Sequence, residues 1–394
     1  MSQKLRSFHF RPALLDSLKH YRRPDFMADL GAGLTVACVA LPLAMAFGIA
    51  SGVKPEQGLI TAIIGGALVS LLGGSKVQIG GPAGAFVAML YGIALQYGMS
   101  NLLLATMMAG AILFLMGALR LGQIIRFVPI SIVIGFTNGI AVVIMLSQVK
   151  DFLGLQIEKM PANFFSQLDT LVHYSDGLNY PALGLGLVTL LTLIVWPKPP
   201  KVMTSRQTAL EQPAQGVVGT ATDNAGDAED ASAPTVARTP SAAPTEPQPQ
   251  QASLLRRILW RIPAPLVVLL LGTLFTWALQ LPVETIGSRF GGIPQSVPTP
   301  ALPSFDWESA QNLVGPTLAI AFLGAIESLL CARVADGMTH DRHDPNQELM
   351  AQGIANFATP LFGGIAVTGT IARTVTNIRS GAHSPIAGLV HALT

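Results

Sequence analysis

The sequence predicts an all-α polytopic membrane protein, and three observations carry that prediction. Of 394 residues, 50% are hydrophobic and only 12% charged, against about 25% charged in an ordinary soluble domain. Several windows of about 20 residues are almost wholly apolar, the length a helix needs to cross a bilayer. One such stretch is interrupted by Gly80-Gly81-Pro82-Ala83-Gly84-Ala85-Phe86. No continuous helix contains that run, because proline lacks an N–H and glycine favours irregular backbone.

The first segment, residues 1–26, carries Lys4, Arg6, Arg11, Lys19, Arg22 and Arg23 but no short apolar core before a cleavage site. It is therefore not a signal peptide, and its basic flank places the N-terminus in the cytoplasm. Residues 27–196 hold six spans. Span 1, Met27–Ala50, contains Pro42, which frees a carbonyl and kinks a helix. Phe47, about one turn later, can wall a cavity or simply face lipid or core. Span 2 is Gly58–Leu72. Span 3 is the broken one, extended over Lys76–Gly80 and helical over Pro82–Tyr97, since proline suits the first position of a helix. Spans 4 to 6 are Leu102–Leu119, Val128–Gln148 and Pro181–Trp196, with an amphipathic surface piece at Pro161–Tyr174.

Residues 197–256 change character. Pro197–Gln251 is rich in Ala, Pro, Thr and Gln, with acidic residues between Asp223 and Asp230, and predicts a disordered cytoplasmic linker. Residues 257–394 return to spans, at Pro263–Leu281, Leu313–Val334 and Leu349–Phe362, with a tenth beginning near Gly369. This threading puts Lys76, Arg120, Arg126, Lys198, Lys201, Arg256, Arg257, Arg333 and Arg342 on or near the inner side. It leaves the outer loop Pro282–Asn312 with a single basic residue, Arg289, as the positive-inside rule requires. The chain stops at Thr394 inside an apolar run that begins at Pro385, so we expect further spans beyond it.

A weak internal repeat links the two parts. Leu71-Leu72-Gly73-Gly74 precedes the Gly-Gly-Pro turn, and Leu361-Phe362-Gly363-Gly364 precedes a helical run from Ile371. Such turns also recur through ordinary packing of small residues in membrane helices. Read as an inverted repeat, span 3 enters from inside and span 10 from outside. Their helix starts then oppose each other near the midplane, where two positive half-dipoles form an anion site without a metal.

Two charges lie where charges are costly. Glu327 sits mid-span, at a cost of about 2.5 kcal/mol or more, which marks it as functional by default. Beside an anion it can carry a proton, neutral in one step and charged in another. Arg373, at the start of span 10, supplies fixed positive charge to the same cavity; alternatively the two form a structural ion pair. Cys38 and Cys331 read as packing residues, and His340 and His343 as part of a solvated loop rather than a metal site. No phosphate-binding loop and no Ser/His/Asp set is visible. The chain therefore does not read as an enzyme, and no cofactor, metal or nucleic acid is implied.

Asn346-Gln347-Glu348-Leu349, Gly353-Ile354-Ala355-Asn356, Leu41-Pro42 with Ala46-Phe47, Gly81-Pro82 and Ile371-Ala372-Arg373 together resemble the sulfate permease (SulP) family of anion transporters. Glu327 to Ala332 and Gly337-Met338-Thr339 are most similar to its bacterial C4-dicarboxylic acid branch. The resemblance implies an inverted repeat of seven plus seven spans, divided into core and gate domains that move like an elevator. It implies a homodimer when full-length, with a cytoplasmic STAS domain after the last span. It implies a substrate site at Phe47, Gly81, Pro82, Ala83, Gly84, Thr370, Ile371, Ala372 and Arg373, with Glu327 as the proton-coupling group. The chain departs from the family in Leu43, where some relatives carry Gln, in its long linker, and in ending before spans 12 to 14.

The expectation is a secondary transporter of the bacterial inner membrane. Its substrate would be a small anion, a C4-dicarboxylate such as succinate or fumarate, taken up with a coupling proton or sodium ion. Sulfate or bicarbonate transport is the alternative within the family. An anion channel or sensor is the alternative outside transport.

Overall fold

The computed structural model describes residues 10–123, 130–157, 160–161, 163–196, 264–292, 296 and 298–394. The expected linker, Pro197–Gln251, lies outside the described residues, as do residues 1–9 of the basic N-terminal flank, with Lys4 and Arg6.

A short helix α1 (Ala13–Ser17) precedes α2 (Arg23–Ala50), 28 residues long with Pro42 inside it. Its start is held by the Asp25 carboxylate, which accepts the Arg22 amide at 2.9 Å, the acidic first-turn cap that satisfies an orphan N–H. Helix α3 (Pro55–Leu72) is apolar and 18 residues long. Its middle turn, Thr61–Gly65, is wound wider than an α-helix. There the Thr61 hydroxyl donates to the Gln57 carbonyl at 2.6 Å and accepts the Ile365 amide at 2.8 Å. A local π-type turn of this kind makes room for a docking segment.

The chain leaves α3 extended and forms a two-residue strand β1 (Gly80–Gly81) before α4 (Gly84–Tyr97). Then come α5 (Met99–Ala118), α6 (Ile130–Leu153), the surface helix α7 (Phe164–His173) and α8 (Tyr180–Val195). After the linker follow α9 (Ala264–Ala278), α10 (Ile286–Phe290), α11 (Trp307–Asn312) and α12 (Val314–Thr339). Helix α13 (Pro345–Ala358) ends in a tight turn, Thr359–Phe362. Strand β2 (Thr368–Gly369), α14 (Ile371–Arg379) and α15 (Ile386–Leu393) complete the chain. Among the described residues, α2, α3, α5 and α12 are long and apolar enough to cross a membrane.

Several sequence-based boundaries move, three of them for a visible local reason. Helix α4 begins at Gly84 rather than Pro82, because Ala83 is extended (φ −124°, ψ 146°) and the Pro82 carbonyl is turned to a side chain from α14. Helix α12 runs on to Thr339, ending only where His340 adopts a left-handed conformation. Helix α13 starts at Pro345, since the Asp344 carboxylate caps the Asn346 and Gln347 amides, a strong start signal ahead of proline.

The two halves join at the centre. Strands β1 and β2 pair antiparallel, Gly80 opposite Gly369 and Gly81 opposite Thr368. Around them the core contains Phe86, Leu90, Leu113, Ile320, Leu329 and Leu349. Helices α5 and α13 cross so closely at Gly110 and Gly353 that a side chain at either would strike the opposing backbone. Such contact is how membrane helices gain dispersion energy in place of a hydrophobic drive.

Candidate functional site

The site is built on a helix face that grips a strand. Thr370, Thr374 and Asn377 are spaced four and three residues apart, so they share one side of α14. The Thr370 amide and hydroxyl both donate to the Ile79 carbonyl, at 2.9 and 3.0 Å. The Ile79 amide donates to Thr374 Oγ1 at 3.0 Å, and Asn377 Nδ2 to the Val77 carbonyl at 2.9 Å. The extended segment before β1 is therefore satisfied by α14 rather than by a sheet, which backbone in an apolar surround requires.

This arrangement brings the starts of α4 and α14 to the two sides of the short ladder. The first amides of each helix have no partner within the helix, and both ends carry partial positive charge. Over Gly84 lie the Phe47 ring and Ile144: a Cβ there would sit 3.3 Å from Phe47 Cε1 and 3.0 Å from Ile144 Cδ1. Phe47 thus walls the start of α4.

Arg373, the third residue of α14, is 1% exposed. Its Nη2 donates to the Pro82 carbonyl at 3.3 Å, and Nη1 lies against Gly81, where a Cβ would overlap it. Nε and Nη1 are buried with no hydrogen-bond partner. A guanidinium has five donors and no acceptor, and leaving buried donors unpaired costs about 1–3 kcal/mol each. What the pocket lacks is an acceptor. Two helix starts and an unsatisfied guanidinium supply the chemistry of an anion site.

The residues expected from sequence therefore fall into two groups. Phe47, Gly81, Pro82, Ala83, Gly84, Thr370, Ile371, Ala372 and Arg373 gather around the ladder. Glu327 lies on α12, partly buried, and among the described residues it forms no ion pair with Arg373 or any other cation. The structural-pair alternative is not the arrangement found.

Two buried carboxylates escaped sequence reasoning. Glu348, 0% exposed, accepts from the Gly74 amide, the Ser328 hydroxyl and Gln352 Nε2, each at 3.0 Å. Ser328 in turn accepts from Gln78 Nε2 at 3.1 Å. Asp29, inside span 1, accepts from the Tyr21 hydroxyl at 2.7 Å and from the His383 and Ser384 amides at 2.7 and 3.1 Å. An acidic residue inside an apolar run, as at Asp29, is the signal that would have found one of them. Glu348 has no such mark, since its helix opens with polar residues.

A family model described as the sulfate permease family matches residues 26–394. The chain belongs to that family. It is 40% identical over 375 residues to "Putative sulfate transporter YvdB" of Bacillus subtilis (strain 168), covering 95% of this chain and 59% of the relative. It is 28% identical over 386 residues to "Bicarbonate transporter BicA" of Picosynechococcus sp., covering 95% and 56%. The chain thus spans under two thirds of the length of these relatives. Among solved structures it resembles the transmembrane domain of a cyanobacterial bicarbonate transporter BicA (26% identity, TM-score 0.70, 95% of this chain and 81% of that one). It also resembles the murine Slc26a9 anion transporter in the inward-facing state (17% identity, TM-score 0.74, 100% and 60%); at that identity the likeness concerns the fold alone. The fold of this sulfate permease family member is that of a helical membrane transporter with core and gate domains, and its relatives are transporters, not enzymes.

Proposed function

We propose that the protein is a secondary active carrier of small anions, holding its substrate between the starts of α4 and α14. The observation that carries this reading is Arg373: a fully buried guanidinium beside Gly81 whose Nε and Nη1 lack acceptors. Backbone amides of the two helices and these donors would hold the oxygens of the anion, and Phe47 would exclude water from one side. Transport would follow from an elevator-like movement of the core, carried out by a homodimer of the full-length protein in a bacterial inner membrane, with the N-terminus in the cytoplasm.

Two substrate classes have support. The names of the relatives favour an inorganic oxyanion, sulfate or bicarbonate. The resemblance of Glu327 to Ala332 to the dicarboxylate branch favours succinate or fumarate, taken up with a proton carried by Glu327. Competition among succinate, fumarate, sulfate and bicarbonate for uptake into proteoliposomes holding the full-length protein separates the two. Arg373→Ala is expected to abolish uptake of whichever wins. Uptake at wild-type rate in that variant would remove the proposed site. Flux that neither saturates nor exchanges would make the protein a channel.

A further inference from the structure

Helix α15 brings a second buried polar side chain to the central ladder. Its buried face, Ala387, Gly388, His391 and Ala392, packs against α2 and against α3 with the wide turn Thr61–Gly65. The segment before β1 runs alongside α15 in the same direction. Val77 clusters with Ala382 and Ala387. Two residues later Ile79 meets Gly388, where a Cβ would lie 3.5 Å from Ile79 Cδ1 and overlap Ser70 Oγ. His391 is three residues past Gly388, on the same side of the helix and about 4.5 Å further along it. That step places it at the level of Gly80 and Gly81, where Arg373 Nη1 lies. The charge of Arg373 accordingly acts on the imidazole.

Three buried side chains here lack partners. Arg373 is 1% exposed, Ser70 3% and His391 6%. Arg373 Nε and Nη1, the Ser70 hydroxyl and both ring nitrogens of His391 are buried without a hydrogen-bond partner, although α2, α3, α14 and α15 are described throughout. Their chemistry is complementary. A guanidinium only donates, a neutral imidazole has one acceptor and one N–H, and a hydroxyl accepts or donates. The three close into a chain, from Arg373 to His391 to Ser70, with every bond running from donor to acceptor. Where direct reach fails, a buried water with two or more polar partners carries the bond.

We propose that His391 is the positioning residue of the central site: through buried water it takes the hydrogen bond of Arg373 Nε, and its own N–H goes on to Ser70 Oγ. The Pro82 carbonyl holds one corner of the guanidinium through Nη2, and about a single bond the plane can still turn. A second acceptor, at Nε, locks the plane and aims Nη1 past Gly81 at the anion, so less ordering remains to be done on binding. The role rests on the reading of Arg373 as the anion-holding group and refines it, leaving Nη1 to the anion.

Initial-rate uptake of sulfate, bicarbonate and succinate by the full-length protein in proteoliposomes tests the role. His391→Leu is expected to raise the KM of the transported anion about tenfold, the value of one charge-assisted hydrogen bond. The maximal rate should stay within about twofold of wild type. His391→Gln, which keeps an acceptor and a donor, is expected to restore KM to within about twofold. A KM unchanged in His391→Leu, or raised equally in His391→Gln, overturns the proposal. Thermal unfolding without anion tests the chain of bonds itself. The midpoint shifts of His391→Leu and Arg373→Gln are expected to fall short of adding in the double variant, and additive shifts overturn the proposal as well. Should His391→Leu fail to fold, Ser70→Ala decides, with KM expected to rise about threefold and an unchanged KM overturning the proposal. Wild-type uptake by Arg373→Ala, or no uptake by any of these proteins, counts against the central-site reading instead, and the unfolding cycle then decides the contact.

Discussion

Arg373 Nη2 donates to the carbonyl of Pro82, 291 residues earlier in the chain, at 3.3 Å. This bond ties the side chain of one half-helix to the backbone that leads into the other. Because proline has no N–H, the residue that breaks span 3 presents only an acceptor, and the guanidinium meets it. Nε and Nη1 of Arg373 are left buried without an acceptor, Nη1 against Gly81.

Gly81→Ala tests that geometry. A methyl group there overlaps Arg373 Nη1, so the guanidinium has to move while the fold survives. Anion affinity should fall about tenfold, the value of one charge-assisted hydrogen bond, with little change in the thermal unfolding midpoint. Wild-type affinity in a folded Gly81→Ala protein would show that Nη1 does not face the anion.

Glu327→Gln tests proton coupling. The carboxyl lies on a spanning helix without an ion-pair partner among the described residues, as a titrating group requires and a structural charge does not. Uptake by the variant is expected to lose its pH dependence while anion binding persists. A pH profile unchanged from wild type would exclude Glu327 as the carrier of the proton.

Glu348 is expected to matter for stability rather than for transport. Glu348→Ala strands the Gly74 amide, the Ser328 hydroxyl and Gln352 Nε2. The expected loss is about 3 kcal/mol or more, at about 1–3 kcal/mol for each buried unsatisfied group. Glu348→Gln keeps one acceptor and should cost less. Thermal unfolding in detergent ranks the three proteins, and equal midpoints would mean that water replaces the carboxylate.

Tyr21 ties the N-terminal segment to the core by donating to Asp29. Burial, with the bond to that carboxylate, pushes the Tyr21 phenol above its ordinary pKa. A group whose folded pKa is raised contributes stability that is complete below its unfolded pKa, about 10, and is lost as pH rises through the folded value. The gap in unfolding midpoint between wild type and Tyr21→Phe should therefore be constant at neutral pH and close only in strong alkali. A gap that closes on acidification instead would implicate Asp29.

Legibility varied along the chain for physical reasons. The broken span was readable because Gly80-Gly81-Pro82 forbids a helix whatever surrounds it. The residue at which α4 begins was not, because the choice between Pro82 and Gly84 depends on where the Pro82 carbonyl is needed. Phe47 offered a wall or a lipid contact with equal plausibility until Gly84 was found beneath it. The wide turn at Thr61 gave no local signal, since its partner there, Ile365, lies 304 residues later in the chain. Glu348 was hidden by its polar neighbours, Asn346 and Gln347.

By itself the sequence determined that this is a helical membrane protein with two interrupted spans, an arginine at the start of one and a carboxylate in the middle of another helix. Those features follow from hydrophobic run length and from residues that cannot continue a helix, both local properties. Only the tertiary structure decided that the interruptions pair through Gly80 and Gly369, that Arg373 faces Gly81, and that Glu327 is not its partner. Such contacts join segments nearly 300 residues apart, and no local preference specifies them; they arise because backbone hidden from water has to find its hydrogen bonds in whatever the fold brings alongside.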